Sequence, residues 1–255
     1  MGAFSSAWDA SGQIPTRAVN EGVISRFGAI DDMEGGVTSR TNYSVLYEYG
    51  KGTNNEFTIQ GYSSWYDFKL FSNFTYFLLD SVNGDMIEQT DSRSISGINS
   101  KYIVRSAIGN IITKTSVGGG LRADNINVGL WKSPDRIRDI QYRDDFVSQR
   151  NLFLWAEEVF YFNTKWRLQV GIRGDYFTFD MNDKLDGKAD TITSLPHASS
   201  YAQKLIVNPK LNIVFSPTGS TEFFVNVGSG FHSNDARDVI ISQRVSEIEH
   251  DLERK

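Results

Sequence analysis

Arginine and aspartate side chains alternate along residues 132–150 in a pattern that could bind an anionic small molecule. The candidates for contact with such a ligand are Arg136, Arg138 and Arg143, with Tyr142 beside them. A guanidinium group forms charge-assisted hydrogen bonds, often two in parallel, with anionic oxygens. Because aspartates are interspersed among these arginines, a solvated run of mutually neutralising charges is the alternative interpretation.

A second candidate binding segment, residues 71–92, is rich in aromatic and aliphatic side chains in a region expected to connect two strands. Phe74 and Tyr76 are its candidate ligand contacts. Exposed apolar loops mark binding surfaces. The alternative is that these residues continue the preceding strand or pack against neighbouring loops.

A third set of polar residues, His232, Asn234 and Arg237, follows a strand near the end of the chain. These residues are further candidates for ligand contact. A single histidine in this position is more commonly a hydrogen-bonded structural residue than a metal ligand, and the histidines at 197 and 250 give no ligand spacing with it. The sequence therefore predicts no metal site and no bound cofactor.

Composition narrows the class of function. The chain has 255 residues, a formal net charge of −5 and no cysteine, which excludes a disulfide framework and a thiolate metal site. The glycine-containing segments lack the residues of a nucleophile elbow or a P-loop. No basic block accompanies the mild acidity. We expect neither enzymatic activity nor a nucleic-acid partner.

The elements that position these residues are long, two-faced strands. Apolar and polar side chains alternate with period two, a pattern typical of strands with one buried face. The clean segments are 38–49, 165–178, 204–216 and 222–232, and the weaker ones are 55–70, 93–106, 112–131 and 150–162. We predict about eight strands, each longer than the five or six residues usual in soluble sheets.

Short and long connections alternate between these strands. Tight links are expected near residues 50–53, 107–111, 163–164 and 216–220, and long ones at 71–92, 132–149 and 181–202. Antiparallel hairpins place every second connection on the same edge of a sheet, so one edge carries short turns and the other carries long loops. Transmembrane β-barrels have this asymmetry. The fold class predicted is all-β, an antiparallel up-and-down transmembrane barrel segment whose apolar face contacts lipid.

The end of the chain breaks the strand pattern. Within residues 239–255, Ile241, Val245, Ile248 and Leu252 recur at helical spacing among charged residues. This pattern predicts a short amphipathic helix. It would lie within a loop on the long-connection edge.

Four segments resemble a known family in both order and spacing. They are Gly228-Ser-Gly-Phe-His-Ser-Asn-Asp-Ala-Arg237, Arg26-Phe-Gly-Ala-Ile-Asp31 leading to Gly35-Gly36-Val-Thr38, Tyr66-Asp-Phe-Lys-Leu-Phe-Ser-Asn-Phe-Thr75, and Val170-Gly-Ile-Arg-Gly-Asp-Tyr-Phe177. Together they resemble the β-barrel domain of TonB-dependent outer-membrane receptors, over about residues 22 to 240.

The resemblance implies an importer of the bacterial cell outer membrane, with a barrel of about 22 strands and an N-terminal plug domain. Such receptors bind a scarce nutrient, a ferric siderophore or a similar metal chelate or cofactor, at extracellular loops. They import it with energy delivered by TonB through the plug. We expect residues 1–255 to be an internal segment of such a barrel, with the plug outside it.

The polar strand faces would then line the lumen and contact the plug. The candidates for that contact are Arg40, Glu48, Arg167, Arg173 and Asp175. Simple hydration of the lumen is an equally good explanation of their charge. The rival to the whole interpretation is a soluble all-β ligand- or glycan-binding module, with the aromatic loops as its platform.

Overall fold

The computed structural model describes residues 1–185 and 200–230, and these form one antiparallel sheet of nine strands in chain order. The strands are Gly2–Asp9 (β1), Gly35–Tyr49 (β2), Asn55–Ser72 (β3), Ile87–Ile108 (β4), Ile111–Lys132 (β5), Gln141–Tyr161 (β6), Trp166–Asp183 (β7), Ser200–Thr218 (β8) and Thr221–Gly228 (β9). Within the described residues β1 and β9 are not paired, so the sheet is open. The all-β, up-and-down prediction is confirmed.

Helical structure is scarce in the described part of the chain. A short α-helix, Thr16–Asn20 (α1), lies between β1 and β2, and a 3₁₀ turn, Pro134–Arg136, lies between β5 and β6. No helix among the described residues is both long and apolar enough to cross a membrane. The helix predicted for residues 239–255 lies outside the described residues.

The strand connections have the predicted asymmetry. Residues 50–54, 109–110, 162–165 and 219–220 make the connections at one edge, which we call the short edge. The opposite, long edge carries residues 10–34, 73–86 and 133–140 and the segment that follows β7. Since each strand reverses direction, the two kinds of connection are sorted completely to opposite edges.

Several strands run further toward the long edge than the sequence predicted. β4 begins at Ile87 rather than near residue 93, and β6 begins at Gln141 rather than near residue 150. Backbone pairing with longer neighbours continues through these polar segments. The long connection between β5 and β6 is therefore only residues 133–140, and Tyr142 and Arg143 lie in a strand.

The two faces of the sheet differ in chemistry. Residues directly opposite each other on neighbouring strands share a face, and the register assigns most large apolar side chains of the short-edge half to one face. This apolar face is exposed, with Leu154 at 67% as an example. Its members include Val45, Tyr47, Ile59, Ile98, Leu121, Leu152, Ile172, Val207, Ile213 and Val225.

The opposite, polar face is the more crowded one. Asp175 on β7 is completely buried there. Toward the long edge, the same face carries a small apolar core of Ile126, Val147, Phe179 and Met181 with Ala202. Side chains crowd on the inner side of a curved sheet, so we assign the polar face to the concave side.

Four glycines on the polar face lie directly opposite aromatic residues. Ring atoms occupy the space where a glycine Cβ would stand; Trp155 Cε2, for example, is 2.7 Å from an ideal Cβ at Gly118. Aromatic side chains packed over cross-strand glycines are a known means of stabilising such positions. The pairs are Gly36 with Trp8, Gly97 with Tyr62, Gly118 with Trp155 and Gly120 with Phe153.

Candidate ligand-binding edge and polar face

The β3–β4 connection, residues 73–86, is built around two aspartates. Asp85 accepts hydrogen bonds from the backbone amides of Leu79 (2.9 Å) and Asp80 (2.7 Å). Asp80 accepts from the amides of Val82 (3.0 Å) and Asn83 (2.9 Å), and Lys132 of β5 is its ion-pair partner. These donors lower the pKa of the Asp80 carboxyl well below its usual range. The loop is therefore held by internal polar contacts.

The apolar side chains of this connection point away from that polar interior. Phe74 is 66% exposed, and Phe77, Leu78, Leu79 and Val82 are also exposed. Soluble loops usually have the reverse arrangement. The predicted contact Phe74 is thus presented to solvent at the long edge.

Tyr76, the other predicted ligand contact in this loop, is directed toward the β1–β2 connection and not toward solvent. Its backbone is left-handed (φ 56°), and its hydroxyl donates to the carbonyl oxygen of Gln13 at 3.0 Å. Burial raises the pKa of the Tyr76 phenol, as do the nearby charges of Glu34 and Asp31. Tyr76 therefore connects the β3–β4 connection to the β1–β2 connection, residues 10–34.

A buried carboxyl lies between the same two connections. Glu34 is only 6% exposed, and its Oε1 has no hydrogen-bond partner among residues 1–185 and 200–230. Burial raises the pKa of Glu34, the Asp31 charge raises it further, and a hydrogen bond from the backbone of Asn73 opposes both. The Asn73 side chain donates to Asp31 at 2.7 Å, which adds another hydrogen bond between the β3–β4 and β1–β2 connections.

Arg138 of the β5–β6 connection lies on the same side of the sheet as the apolar face. Its Nε and Nη2 donate to the two carboxylate oxygens of Glu88 on β4 at 2.9 and 2.8 Å. The guanidinium lies over the ring of Trp131, 3.8 Å from its centroid. Because Glu88 faces Phe71 and Trp131 across the sheet, all three belong to the outward, apolar-face side. The hydrogen bonds from Arg138 to Glu88 raise the arginine pKa.

Arg136 lies on the same side. Its backbone is left-handed (φ 61°), its Nε donates to the carbonyl oxygen of Met33 at 2.8 Å, and its guanidinium lies 4.9 Å from the Phe71 ring centroid. Asp9 of β1 is 3.8 Å away. Neither Arg136 nor Arg138 is directed to the polar face.

The remaining two predicted contacts of this region are adjacent in β6 and therefore lie on opposite faces. Arg143 pairs in register with Leu130 on the polar face and is buried. Tyr142 lies on the outward side. The four residues grouped by sequence spacing are thus divided by the sheet, with Arg143 alone on the polar face.

The five residues predicted to face a lumen share the polar face. Arg173 donates to Asp175 through Nε and Nη2, both at 2.7 Å, and lies 4.0 Å from the Phe153 ring centroid. The other three also have polar partners: Arg40 with Asn42 and Ser64, Glu48 with Lys51, and Arg167 with Glu222.

Further ion pairs on this face were missed by sequence reasoning, and two of them join residues of one strand. Arg122 pairs with Asp124, and Arg93 pairs with Asp91. In each pair, as in Arg173 and Asp175, the residues are two positions apart and so project from one face. An acid and a base at i and i+2 within an alternating strand is the signal that could have found them.

Across residues 1–185 and 200–230, no group of three or more His, Cys, Asp or Glu side chains is arranged to hold a metal. His232, Asn234 and Arg237 lie outside the described residues.

Sequence comparison assigns the chain to a family. A family model described as TonB dependent receptor-like, beta-barrel, matches residues 3–243. The chain belongs to this family. The family is one of receptors and transporters rather than enzymes. No curated protein matches the chain in sequence.

Solved structures of similar fold are siderophore and ferric citrate receptors of this family. The ferric citrate transporter FecA, in the unliganded form, has a TM-score of 0.72 and 13% identity, with 89% of this chain and 32% of that chain covered. BauA, the ferric preacinetobactin receptor from Acinetobacter baumannii, has a TM-score of 0.60 and 9% identity, with 77% and 31% covered. Fiu, the ferric-catecholate import receptor from E. coli K12, in the open form, has a TM-score of 0.60 and 11% identity, with 88% and 40% covered. At these identities the likeness shows the fold, and the chain spans 31–40% of each receptor.

Proposed function

We propose that this chain is a barrel segment of an outer-membrane receptor that binds a scarce nutrient at its long edge and imports it with energy delivered through TonB. The nutrient class is a ferric siderophore or a similar metal chelate or cofactor. One observation carries the proposal: a sheet of this family with an exposed apolar face and all of its long connections at one edge.

The apolar face contacts lipid in this proposal. Leu154 and its neighbours on β6 and β7 are exposed in the middle of the sheet, where a soluble module would bury them. The short edge faces the periplasm and the long edge faces the cell exterior, as in other membrane barrels. An exposed apolar face of this extent disfavours the soluble-module rival.

The polar face lines the lumen and contacts the plug domain of the receptor. Arg40, Glu48, Arg167, Arg173 and Asp175 remain the proposed contacts. Arg173 and Asp175 are the best placed because their bidentate pair and the Phe153 ring hold both charged groups in one orientation.

Ligand contact is proposed for Phe74 and Arg143, in addition to the sequence-based candidates His232, Asn234 and Arg237. Phe74 is exposed at the long edge, and Arg143 is on the polar face close to that edge. Tyr76 supports the loop that presents Phe74.

Uptake measurements test the function. A strain lacking the receptor that carries this chain, complemented with the intact gene, is expected to accumulate radioactive iron from at least one ferric siderophore of a panel, and only when TonB is functional. Accumulation that does not depend on TonB, or that is absent for every chelate and cofactor tested, would contradict the proposal.

A matched pair of variants tests the ligand-binding edge. Phe74→Ala should weaken ligand binding by about tenfold, since a buried aromatic contact contributes on the order of 1–3 kcal/mol. Phe223→Ala removes an equally exposed phenylalanine at the short edge and should leave binding unchanged. Equal affinities for both variants would remove Phe74 from the site.

A further inference from the structure

A carboxylate interrupts the apolar face near the short edge. Glu158 of β6 lies opposite Thr115 of β5 and Val170 of β7 in the register, so its side chain projects from the same side of the sheet as Leu154. It is three residues from the end of β6 at Tyr161, about 10 Å at the usual rise per residue. In the membrane orientation proposed above, this position lies near the periplasmic surface of the bilayer.

No described residue neutralises this carboxylate. The side chain of Glu158 has no hydrogen-bond or ion-pair partner among residues 1–185 and 200–230. On β5 and β7, the residues that face outward between the short edge and Leu121 or Tyr176 are uncharged. Ionisable residues within membrane-spanning segments are rare and mark functional sites. Since β5 and β7 occupy both sides of β6, a contact for Glu158 has to come from outside the barrel.

Hydroxyl groups accompany the carboxylate on the outward side. Thr115 is its direct cross-strand neighbour, and Thr113, two residues along the same strand, shares a hydrogen bond of 2.9 Å with Ser106 of β4. Ser106 is exposed, whereas Thr113 is buried. We call Ser106, Thr113, Thr115 and Glu158 the polar island, because it combines one anionic group with hydroxyl donors inside the apolar face.

An apolar groove begins next to the polar island. Its volume is about 800 Å³, and it crosses from β3 to β8 on the outward side, with Val117, Gly119, Ala156 and Ile172 among its lining residues. Ala156 precedes Glu158 by two positions on β6, so the carboxylate lies at the short-edge side of the groove. Gly119 and Ala156 give the groove its depth, since neither has a side chain beyond Cβ.

We propose that the polar island and this groove bind a phospholipid with an ethanolamine headgroup in the periplasmic leaflet. The inference rests on the membrane orientation proposed above. Glu158 would accept hydrogen bonds from the primary ammonium group, the Ser106 and Thr115 hydroxyls would donate to the phosphate, and one acyl chain would occupy the groove. Charge complementarity selects this lipid, since an anionic headgroup without an ammonium group would meet an uncompensated carboxylate.

Lipid-binding measurements on the detergent-solubilised receptor that carries this chain test the proposal. Native mass spectrometry would compare dioleoylphosphatidylethanolamine with dioleoylphosphatidylglycerol, which has the same acyl chains but no ammonium group. We expect the ethanolamine lipid to bind preferentially. Glu158→Gln should reduce that preference by about tenfold, the effect of losing one hydrogen bond between charged groups.

A third lipid tests the headgroup contact without any variant. Dioleoylphosphatidylcholine has a trimethylated ammonium group with no N–H donor, so it should bind the unmodified receptor more weakly than the ethanolamine lipid does. Equal binding of the ethanolamine lipid and either of the other two lipids would overturn the proposal.

The matched control is Glu157→Gln, which removes the same charge from the adjacent residue. Glu157 lies on the polar face, where Lys210 is its ion-pair partner, so this variant should keep the lipid preference. An unchanged preference in Glu158→Gln, or an equal loss in Glu157→Gln, would also overturn the proposal. Heat-modifiable gel migration reports barrel folding for each variant, and TonB-dependent iron uptake by the unmodified receptor separates failure of the lipid site from failure of the proposed function.

Discussion

Asp85, Asp80 and Glu34 show how single carboxyl groups determine the shape of the long edge. Asp85 and Asp80 accept backbone hydrogen bonds and organise one loop, whereas Glu34 is buried between two loops without a partner for Oε1 among the described residues. Carboxyls that accept several donors hold a loop most firmly when ionised, and a buried one without enough donors favours its neutral form. The contacts made by Asp85 and Asp80 should therefore weaken as pH falls, and the contact made by Glu34 should weaken as pH rises.

Removing the Asp85 acceptor should loosen the β3–β4 connection. Asp85→Ala removes the acceptor of the Leu79 and Asp80 amides, and a hydrogen bond to a charged group contributes about 1.5–3 kcal/mol. Hydrogen exchange of these two amides should become faster, while Asp32→Ala, an exposed aspartate in the β1–β2 connection, should leave it unchanged. Unchanged exchange in Asp85→Ala would show that the loop is held by other contacts.

The Glu34 carboxyl should make the contact between the first two long connections weaker as pH rises. Its pKa is raised in the folded state above the ordinary 4.5, so its stabilisation is present below that value and is lost as pH rises through the raised pKa. Exchange of the Tyr76 amide, corrected for intrinsic rates, should therefore accelerate as pH rises above the ordinary carboxyl value. Glu34→Gln should abolish this pH dependence. A variant with the same pH profile as the unmodified chain would contradict the assignment.

The sequence pattern predicted which face of the sheet a residue lies on, but it did not predict which residues that side chain contacts. Arg173 and Asp175 lie on the polar face as predicted, since strand alternation determines it. The location of Arg138 could not be predicted, because it depends on Glu88 and Trp131 from two other strands. Spacing within one segment gives no information about which side of a sheet a loop crosses.

Several strands of this sheet contain glycines that make room for aromatic rings from the neighbouring strand. On the polar face, glycines on β2, β4 and β5 receive aromatic rings from the neighbouring strand. Glycines within strands often mark bends or bulges, but the register through Gly97 and Gly118 is continuous. The signal that could have corrected this lies in the pairing, since an aromatic residue stands directly opposite each glycine.

A methyl group at one of these glycines should destabilise the barrel. In Gly118→Ala the Cβ would lie 2.5 Å from the Ser100 carbonyl oxygen and 2.7 Å from Trp155 Cε2, so the ring must move. Overpacking of this kind costs about 1–3 kcal/mol. The matched control is Gly61→Ala on β3, where no atom lies within 4 Å of the new Cβ.

Thermal unfolding of the purified receptor, followed by gel migration, would measure the difference. We expect a lower midpoint for Gly118→Ala than for Gly61→Ala. Equal midpoints would show that the Trp155 ring moves aside at no cost.

β1 is the element that the sequence analysis missed. Its residues Ala3, Ser5 and Ala7 are too small to show apolar alternation, and Phe4 and Trp8 lie on the polar face. Trp8 packs over Gly36 and stacks near Phe68. The signal for this strand is in its contacts with β2 and β3 and not in its own pattern.

The molecule as a whole is a sheet with sorted connections and two chemically distinct faces. Strand alternation and connection lengths predicted this architecture, because both are local properties of the sequence. The curvature that buries Asp175 and forms the Ile126 core depends on side chains from four strands, and so was not predictable from any one segment.

A charge in the middle of the apolar face should oppose membrane insertion. Leu154→Arg would place a guanidinium against lipid, at a cost of about 2–4 kcal/mol near the bilayer midplane. Asn99→Arg places the same group on the polar face of β4 and should cost much less. Refolding of the receptor into lipid vesicles, with the folded fraction read from gel migration, would compare them. Similar folded fractions would argue against lipid contact for the apolar face.

The glycine and aromatic pairs also bear on how much free width the concave side retains. A ring laid over a glycine stands only about 3.5–4 Å above the backbone, the contact distance between carbon atoms. The Phe153 ring approaches Gly120 through Cζ, 2.8 Å from an ideal Cβ there, and the Arg173 guanidinium lies 4.0 Å from the ring centroid. In the receptor proposed above, rings at these positions would occupy the lumen wall and narrow the passage less than the same rings placed over a residue with a side chain.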